Sequence, residues 1–229
     1  MSALEIVMVS LVSVFVFSFL LYIFLIKYYR HFSANRVNDF LLMDQVKENK
    51  KIVFLGDSLT DFYNIPEFLD GDYGIVNRGV AGDTTFDVLK RIDEVTSLKP
   101  EKLFLQIGIN DLIKKGKRVK PHELTNRIIK IASMFECSKI YIISLYPINF
   151  KKMKLSWFFC GKARNKYIVK INEILKEKAK ERNYEFIDLY PELLDENNNL
   201  KKEYTLEGLH LTTLAYVEIT KKLKDFIRE

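Results

Sequence analysis

The stretch Lys-Ile-Val-Phe-Leu-Gly-Asp-Ser-Leu-Thr, residues 51–60, constrains the fold more than any other part of the chain. Ile52 to Leu55 is an unbroken apolar run of β-branched, aromatic and aliphatic residues, the pattern of a strand buried on both faces. The run stops at Gly56-Asp57-Ser58. Glycine permits a sharp turn, and Asp57, Ser58 and Thr60 are residue types that start helices. Ser58 therefore falls where a parallel strand gives way to a helix start, with open backbone N–H groups beside its hydroxyl. That position suits a nucleophile whose attack creates an oxyanion. It equally suits a simple N-cap.

Downstream, strand-like and helix-like segments alternate. Strands are predicted at Lys51–Leu55, Gly74–Asn77, Lys102–Ile107, Lys139–Leu145 and Glu185–Leu189. Between them, a short helix begins at Leu59 and is limited by Pro66. A second helix, capped by Thr84 or Thr85, runs to about Val95. Further helices cover His122–Phe135, Asn165–Arg182 and Thr213–Ile227. This alternation means βαβ units, a parallel sheet and helices on both faces. Right-handed crossovers make it a doubly wound sandwich, in which ligands bind beyond the carboxyl ends of the strands.

Three short blocks fall at those ends, Gly56-Asp57-Ser58-Leu59, Asn77-Arg78-Gly79-Val80-Ala81-Gly82 and Gly108-Ile109-Asn110-Asp111, and a fourth, Gly208-Leu209-His210-Leu211, precedes the last helix. In type and order they resemble the blocks of the SGNH (GDSL-type) serine esterase/acylhydrolase superfamily, over nearly everything from Lys51 onward. The resemblance implies a flavodoxin-like three-layer α/β/α sandwich with a five-stranded parallel sheet. It implies a carboxylic ester hydrolase with Ser58 as nucleophile, His210 as general base, and Gly79 and Asn110 in the oxyanion hole with the Ser58 N–H. The family usually carries aspartate three residues before the histidine. Here that residue is Glu207, with the same charge and one more methylene. Its task would be to hold the imidazole tautomer and stabilise the imidazolium, and a surface glutamate unrelated to catalysis is the alternative. The Gly-x-Ser-x-Gly elbow of α/β-hydrolases is absent, since Thr60 stands where its second glycine belongs.

The remaining histidines are His31, in the flank of an apolar segment, and His122, at a helix start. No cluster of His, Cys and carboxylates suggests a metal, and no glycine motif suggests a phosphate, so no cofactor and no nucleic-acid partner are expected. Cys137 and Cys160 lack metal or redox spacing, and reduced thiols are the default. The partners expected are an ester substrate, lipid esters included, and a membrane.

The membrane expectation rests on Ile6–Ile26, which runs without a charge and is long enough to cross a bilayer core of about 30 Å. Its amino-terminal flank lacks Lys and Arg and no small-residue cleavage site follows, which favours an uncleaved anchor over a signal peptide. The expected organisation is a tail at residues 1–5, a transmembrane anchor at 6–26, a juxtamembrane helix or linker at 27–50 and a hydrolase domain at 51–229. Lys27, Arg30 and Arg36 follow the span, which by the positive-inside rule places the domain on the cytoplasmic side; anchored relatives that act outside the membrane argue the other way. The net charge of +6 concentrates in two stretches, Leu112–His122 and Ile148–Asn172. The second carries Trp157-Phe158-Phe159, read as a lid or a patch for anionic headgroups, or as a solvated loop capping the core. Short acyl esters and lysolipids are the favoured substrates. The rival expectation is a catalytically weak, membrane-tethered module that binds lipid or glycan in the same pocket.

Overall fold

The computed structural model describes residues 2–46, 51–113, 119–153 and 165–229. The basic residues Lys114, Lys115, Lys117 and Arg118, and the Trp157-Phe158-Phe159 segment with Cys160, lie outside the described residues. The chain divides into two units, Met1–Val46 and Lys47–Glu229.

The first unit is one helix, α1 (Ala3–Val46). The sequence reading separates a membrane span from a juxtamembrane helix, whereas the backbone runs helically through both. The physical reason is plain in the composition, since no Gly or Pro interrupts this stretch. Its segment Ala3–Leu25 is long and apolar enough to span a membrane.

In the second unit, the apolar runs form five parallel strands in the order β2-β1-β3-β4-β5. These are β1 (Ile52–Gly56), β2 (Ile75–Gly79), β3 (Lys102–Gln106), β4 (Lys139–Ile143) and β5 (Glu185–Ile187). Every residue of β1 is buried, as a central strand covered on both faces requires. Registered pairing sets Phe54 beside Phe104 and Phe104 beside Tyr141. Their rings stack across three strands with centroids 4.5 Å apart at each step.

The helix α8 (Thr213–Arg228) closes over that aromatic ladder. Its Phe226 meets Tyr141 edge-on at 5.5 Å, and its Tyr216 stacks on Tyr63 at 4.8 Å. Among the remaining helices, α6 (Pro121–Ala132) packs against both α3 (Thr85–Lys90) and α7 (Asn165–Glu181). Each of α6, α7 and α8 turns an apolar stripe inward: Leu124, Ile128 and Ile131; Ile168, Ile171 and Leu175; Ala215, Ile219 and Leu223. The expected sandwich is the observed one. One predicted helix is broken, however: α3 ends at Lys90 and α4 (Ile92–Thr96) starts anew. Arg91 between them leaves helical geometry while its guanidinium binds Asp83 Oδ2 at 2.8 Å and the Arg78 carbonyl at 2.8 Å.

Candidate active site

At the end of β1, the buried Asp57 caps the single turn α2 (Ser58–Asp61), its Oδ1 accepting from the Leu59 N–H at 3.0 Å. This fixes Ser58 as the first residue of the turn, where its N–H has no partner within the helix. Two clasps then hold the turn. The Tyr216 hydroxyl of α8 donates to the Leu59 carbonyl at 2.9 Å, and the Asn77 amide of β2 donates to the Thr60 and Tyr63 carbonyls at 2.6 and 3.0 Å. Asp61 Oδ2 accepts from the Ala81 N–H at 3.2 Å, tying the turn to the loop after β2.

His210 arrives from the other end of the chain. It sits in a short loop closed by an isolated bridge between Thr205 and Leu211. Inside the loop, Thr205 Oγ1 donates to the His210 carbonyl at 2.9 Å and accepts from the Gly208 N–H at 2.8 Å. Gly208 holds φ at +107°, which favours glycine, and a Cβ there would collide with the Asn149 carbonyl. The result is a line of three groups. Ser58 Oγ lies 3.0 Å from His210 Nε2, and His210 Nδ1 lies 2.6 Å from Glu207 Oε1. The same carboxylate oxygen accepts from the His210 backbone N–H at 3.0 Å. Glu207 thus folds back on its own loop, which takes up the extra methylene relative to aspartate.

Charge in the site is set by burial and by these bonds. Desolvation pushes the Glu207 carboxyl up, but the hydrogen bonds from the His210 ring and backbone outweigh it and hold the group below its usual range. Asp57 goes the other way. Complete burial, reinforced by the negative charges of Asp83 and Asp111 and opposed by the Leu59 N–H and by His210, raises it to about 7.

Asn110, the second residue of the short helix α5 (Ile109–Ile113), is buried, and its Nδ2 donates to the Asp83 carbonyl at 2.9 Å. An amide nitrogen carries two protons, so one remains for a ligand. Its neighbour Asp111 accepts from the Thr85 N–H (2.9 Å), Thr85 Oγ1 (2.6 Å) and Arg127 (3.1 Å), locking the start of α3 to the loop after β3. Gly79 reaches the same rim, but with a different task from the one expected of it. Its N–H donates to Asn77 Oδ1 at 2.8 Å. A Cβ at Gly79 would land on the Thr60–Asp61 backbone, so this glycine is what lets α2 lie against β2. Sequence reasoning missed Asn77, Thr205 and Tyr216 as positioning residues. Asn77 lay inside a recognised block and offered a signal; Thr205 and Tyr216 lay outside every block and offered none. His122 lies in the first turn of α6. Among the described residues, no group of three or more His, Cys, Asp or Glu is arranged to hold a metal.

The five-stranded parallel fold, with hydroxyl, imidazole and carboxylate aligned at its carboxyl rim, defines a hydrolase of the SGNH type. The chain belongs to the GDSL-like lipase/acylhydrolase family, whose model matches residues 54–217, and it is a carboxylic ester hydrolase. Among curated relatives, the platelet-activating factor acetylhydrolase IB subunit alpha2 of Gallus gallus is 25% identical over 185 residues, covering 78% of this chain and 76% of its own. The N-acylneuraminate cytidylyltransferase of Escherichia coli O18:K1:H7 is 26% identical over 200 residues; 85% of this chain is covered but only 44% of that protein, less than half its length. A solved Streptococcus pneumonia structure named for platelet activating factor is 28% identical with a TM-score of 0.73, covering 85% of this chain and 92% of its own.

Proposed function

We propose that the chain is a membrane-anchored serine esterase that works through an acyl-enzyme on Ser58. The observation that carries this reading is the Ser58–His210–Glu207 line, at 3.0 and 2.6 Å, in hydrogen-bond reach throughout. As Ser58 Oγ attacks an acyl carbonyl, His210 Nε2 takes the hydroxyl proton, and Glu207 stabilises the imidazolium that forms. The same proton then passes to the departing alcohol oxygen. Water, deprotonated by His210, releases the acyl group and restores the serine.

Carbonyl attack leaves charge on oxygen, which calls for preplaced donors. The Ser58 N–H and the second Asn110 amide proton are two. The third is assigned to the turn Val80–Asp83 rather than to Gly79, whose N–H Asn77 already holds. Within that turn, Gly82 (φ +82°) immediately precedes Asp83, the residue whose carbonyl holds the Asn110 amide, and its N–H is our choice.

The apolar stretch Ala3–Leu25, 23 residues, reaches roughly 35 Å at the helical rise of about 1.5 Å per residue, enough for a bilayer core of about 30 Å. The following Lys27, Arg30 and Arg36 favour a cytoplasmic domain. Short acyl esters and lysolipids are the preferred substrates. The acetylhydrolase named above supports a short acyl group, and the anchor supports a lipid carrier.

A fluorophosphonate probe tests the mechanism. The wild-type chain should label, and Ser58→Ala and His210→Ala should abolish labelling with the fold intact by circular dichroism. Absence of wild-type labelling would favour the non-catalytic binding module. A screen over acyl length and headgroup names the substrate, and protease digestion of the domain from outside intact cells would overturn the cytoplasmic placement.

A further inference from the structure

Among the large side chains of the second unit that remain exposed, Phe62 packs on the His210 ring and Leu206 belongs to the loop that carries His210. Phe62 closes α2, its N–H donating to the Ser58 carbonyl at 3.0 Å, so it is placed one turn beyond the serine by the backbone that places the serine itself. Its ring centroid lies 5.3 Å from that of His210, tilted by 48°, and yet the residue is 53% exposed. Leu206 is 68% exposed, precedes Glu207, and donates its N–H to the His210 carbonyl at 3.1 Å. Neither belongs to any of the sequence blocks.

His210 fixes what lies on this side of the site. The imidazolium formed during attack must give its proton to the departing oxygen, so that oxygen must come within about 3 Å of Nε2. The Phe62 ring, packed against the His210 ring and open to solvent on its other side, is the exposed apolar surface beside the group that must meet that oxygen. An exposed aromatic face and an exposed isobutyl group offer apolar area to be covered by the departing alcohol, and no hydrogen-bonding side chain on either residue.

On the Ser58 mechanism proposed above, we infer that Phe62, with Leu206, lines the leaving-group side of the site and selects esters whose alcohol portion is apolar. Phe62 is thus a specificity-determining residue rather than a member of the proton relay.

The test compares kcat/KM for two acetates of similar leaving-group basicity, 2-phenylethyl acetate and ethyl acetate, with purified full-length chain. The wild type should prefer 2-phenylethyl acetate, and Phe62→Ala should lower the ratio about 10-fold, mainly through KM, with the midpoint of the pH–rate profile unmoved. Leu206→Ser, at a still more exposed position, should lower it about 3-fold and guards against misfolding of the first variant. An unchanged ratio in both variants overturns the inference. So does an equal fall for both esters with a shifted pH midpoint, which would mean that Phe62 only positions His210. A larger loss on an acetylated sugar than on 2-phenylethyl acetate also overturns it, since the ring would then be a carbohydrate platform. Ser58→Ala run in parallel separates the two levels: retained turnover there rejects the serine mechanism itself, whatever the ratios do.

Discussion

Around Ser58 and Asn110, charged side chains go into the interior. Arg91 binds Asp83 at 2.8 Å, Arg78 lies 2.9 Å from Glu94, and Arg127 lies 3.1 Å from Asp111, the most exposed of these six side chains keeping only 17% of its surface. Around His210 the pattern is opposite. The Glu207 side chain keeps 42% of its surface and its bonds stay within one short loop. A buried ion pair leaves an uncompensated charge when one partner is removed, whereas a half-exposed carboxylate is rehydrated. The ion-paired shell of the first half is therefore tied to the stability of the domain, and the second half mainly to rate.

The largest expected effect lies on the reacting atom. Ser58→Ala should lower kcat for acetate esters by on the order of 10⁵, with the thermal midpoint barely moved. Next comes the exposed half: Glu207→Gln should lower kcat by on the order of 10²–10⁴ while urea denaturation shifts by less than about 1 kcal/mol. If Glu207→Gln unfolds the domain instead, the division between the halves fails. The buried half should answer the other way. Asp111→Asn leaves Arg127 without its charge partner and should cost about 3 kcal/mol of stability by urea denaturation, the larger share of any activity loss following the unfolded fraction.

The smallest effect sharpens the contrast through pH. Asp57, raised to about 7 in the folded state from an ordinary 3.8, binds its proton more tightly folded than unfolded. Its contribution is fully present below pH 3.8 and is lost as pH rises toward and through 7, by about 2 kcal/mol between pH 5 and pH 7. Glu207 is lowered in the folded state, so its contribution is present at neutral pH and lost at the acid end. Denaturation midpoints at pH 5 and pH 7 should therefore differ less in Asp57→Asn than in the wild type, and an equal difference would remove Asp57 as the source.

The sheet was legible because its strands are largely apolar and glycine-containing blocks follow β1, β2 and β3, and those blocks together with the histidine block name Ser58, Asn110 and His210. Glu207 was legible by its spacing from His210. Gly79 was not legible in its actual task. Which way a backbone N–H points depends on Asn77, and the need for a missing Cβ depends on α2, which packs against it only in the folded chain. The break at Arg91 was hidden for a similar reason: helical periodicity carries across it, and only long-range binding to Asp83 and Arg78 pulls the residue out. The unbroken course of α1 was open to reading, since nothing between Ala3 and Val46 stops a helix.

The hydroxyl of Tyr216 reaches the Leu59 carbonyl across 157 positions of chain, and His210 reaches Ser58 across 152. A polypeptide still emerging from the ribosome can complete β1 and its turn long before either partner exists. Chemical competence should then appear late and all at once during synthesis, and a phosphonate adduct on Ser58 would report that the last third of the molecule has closed over the first.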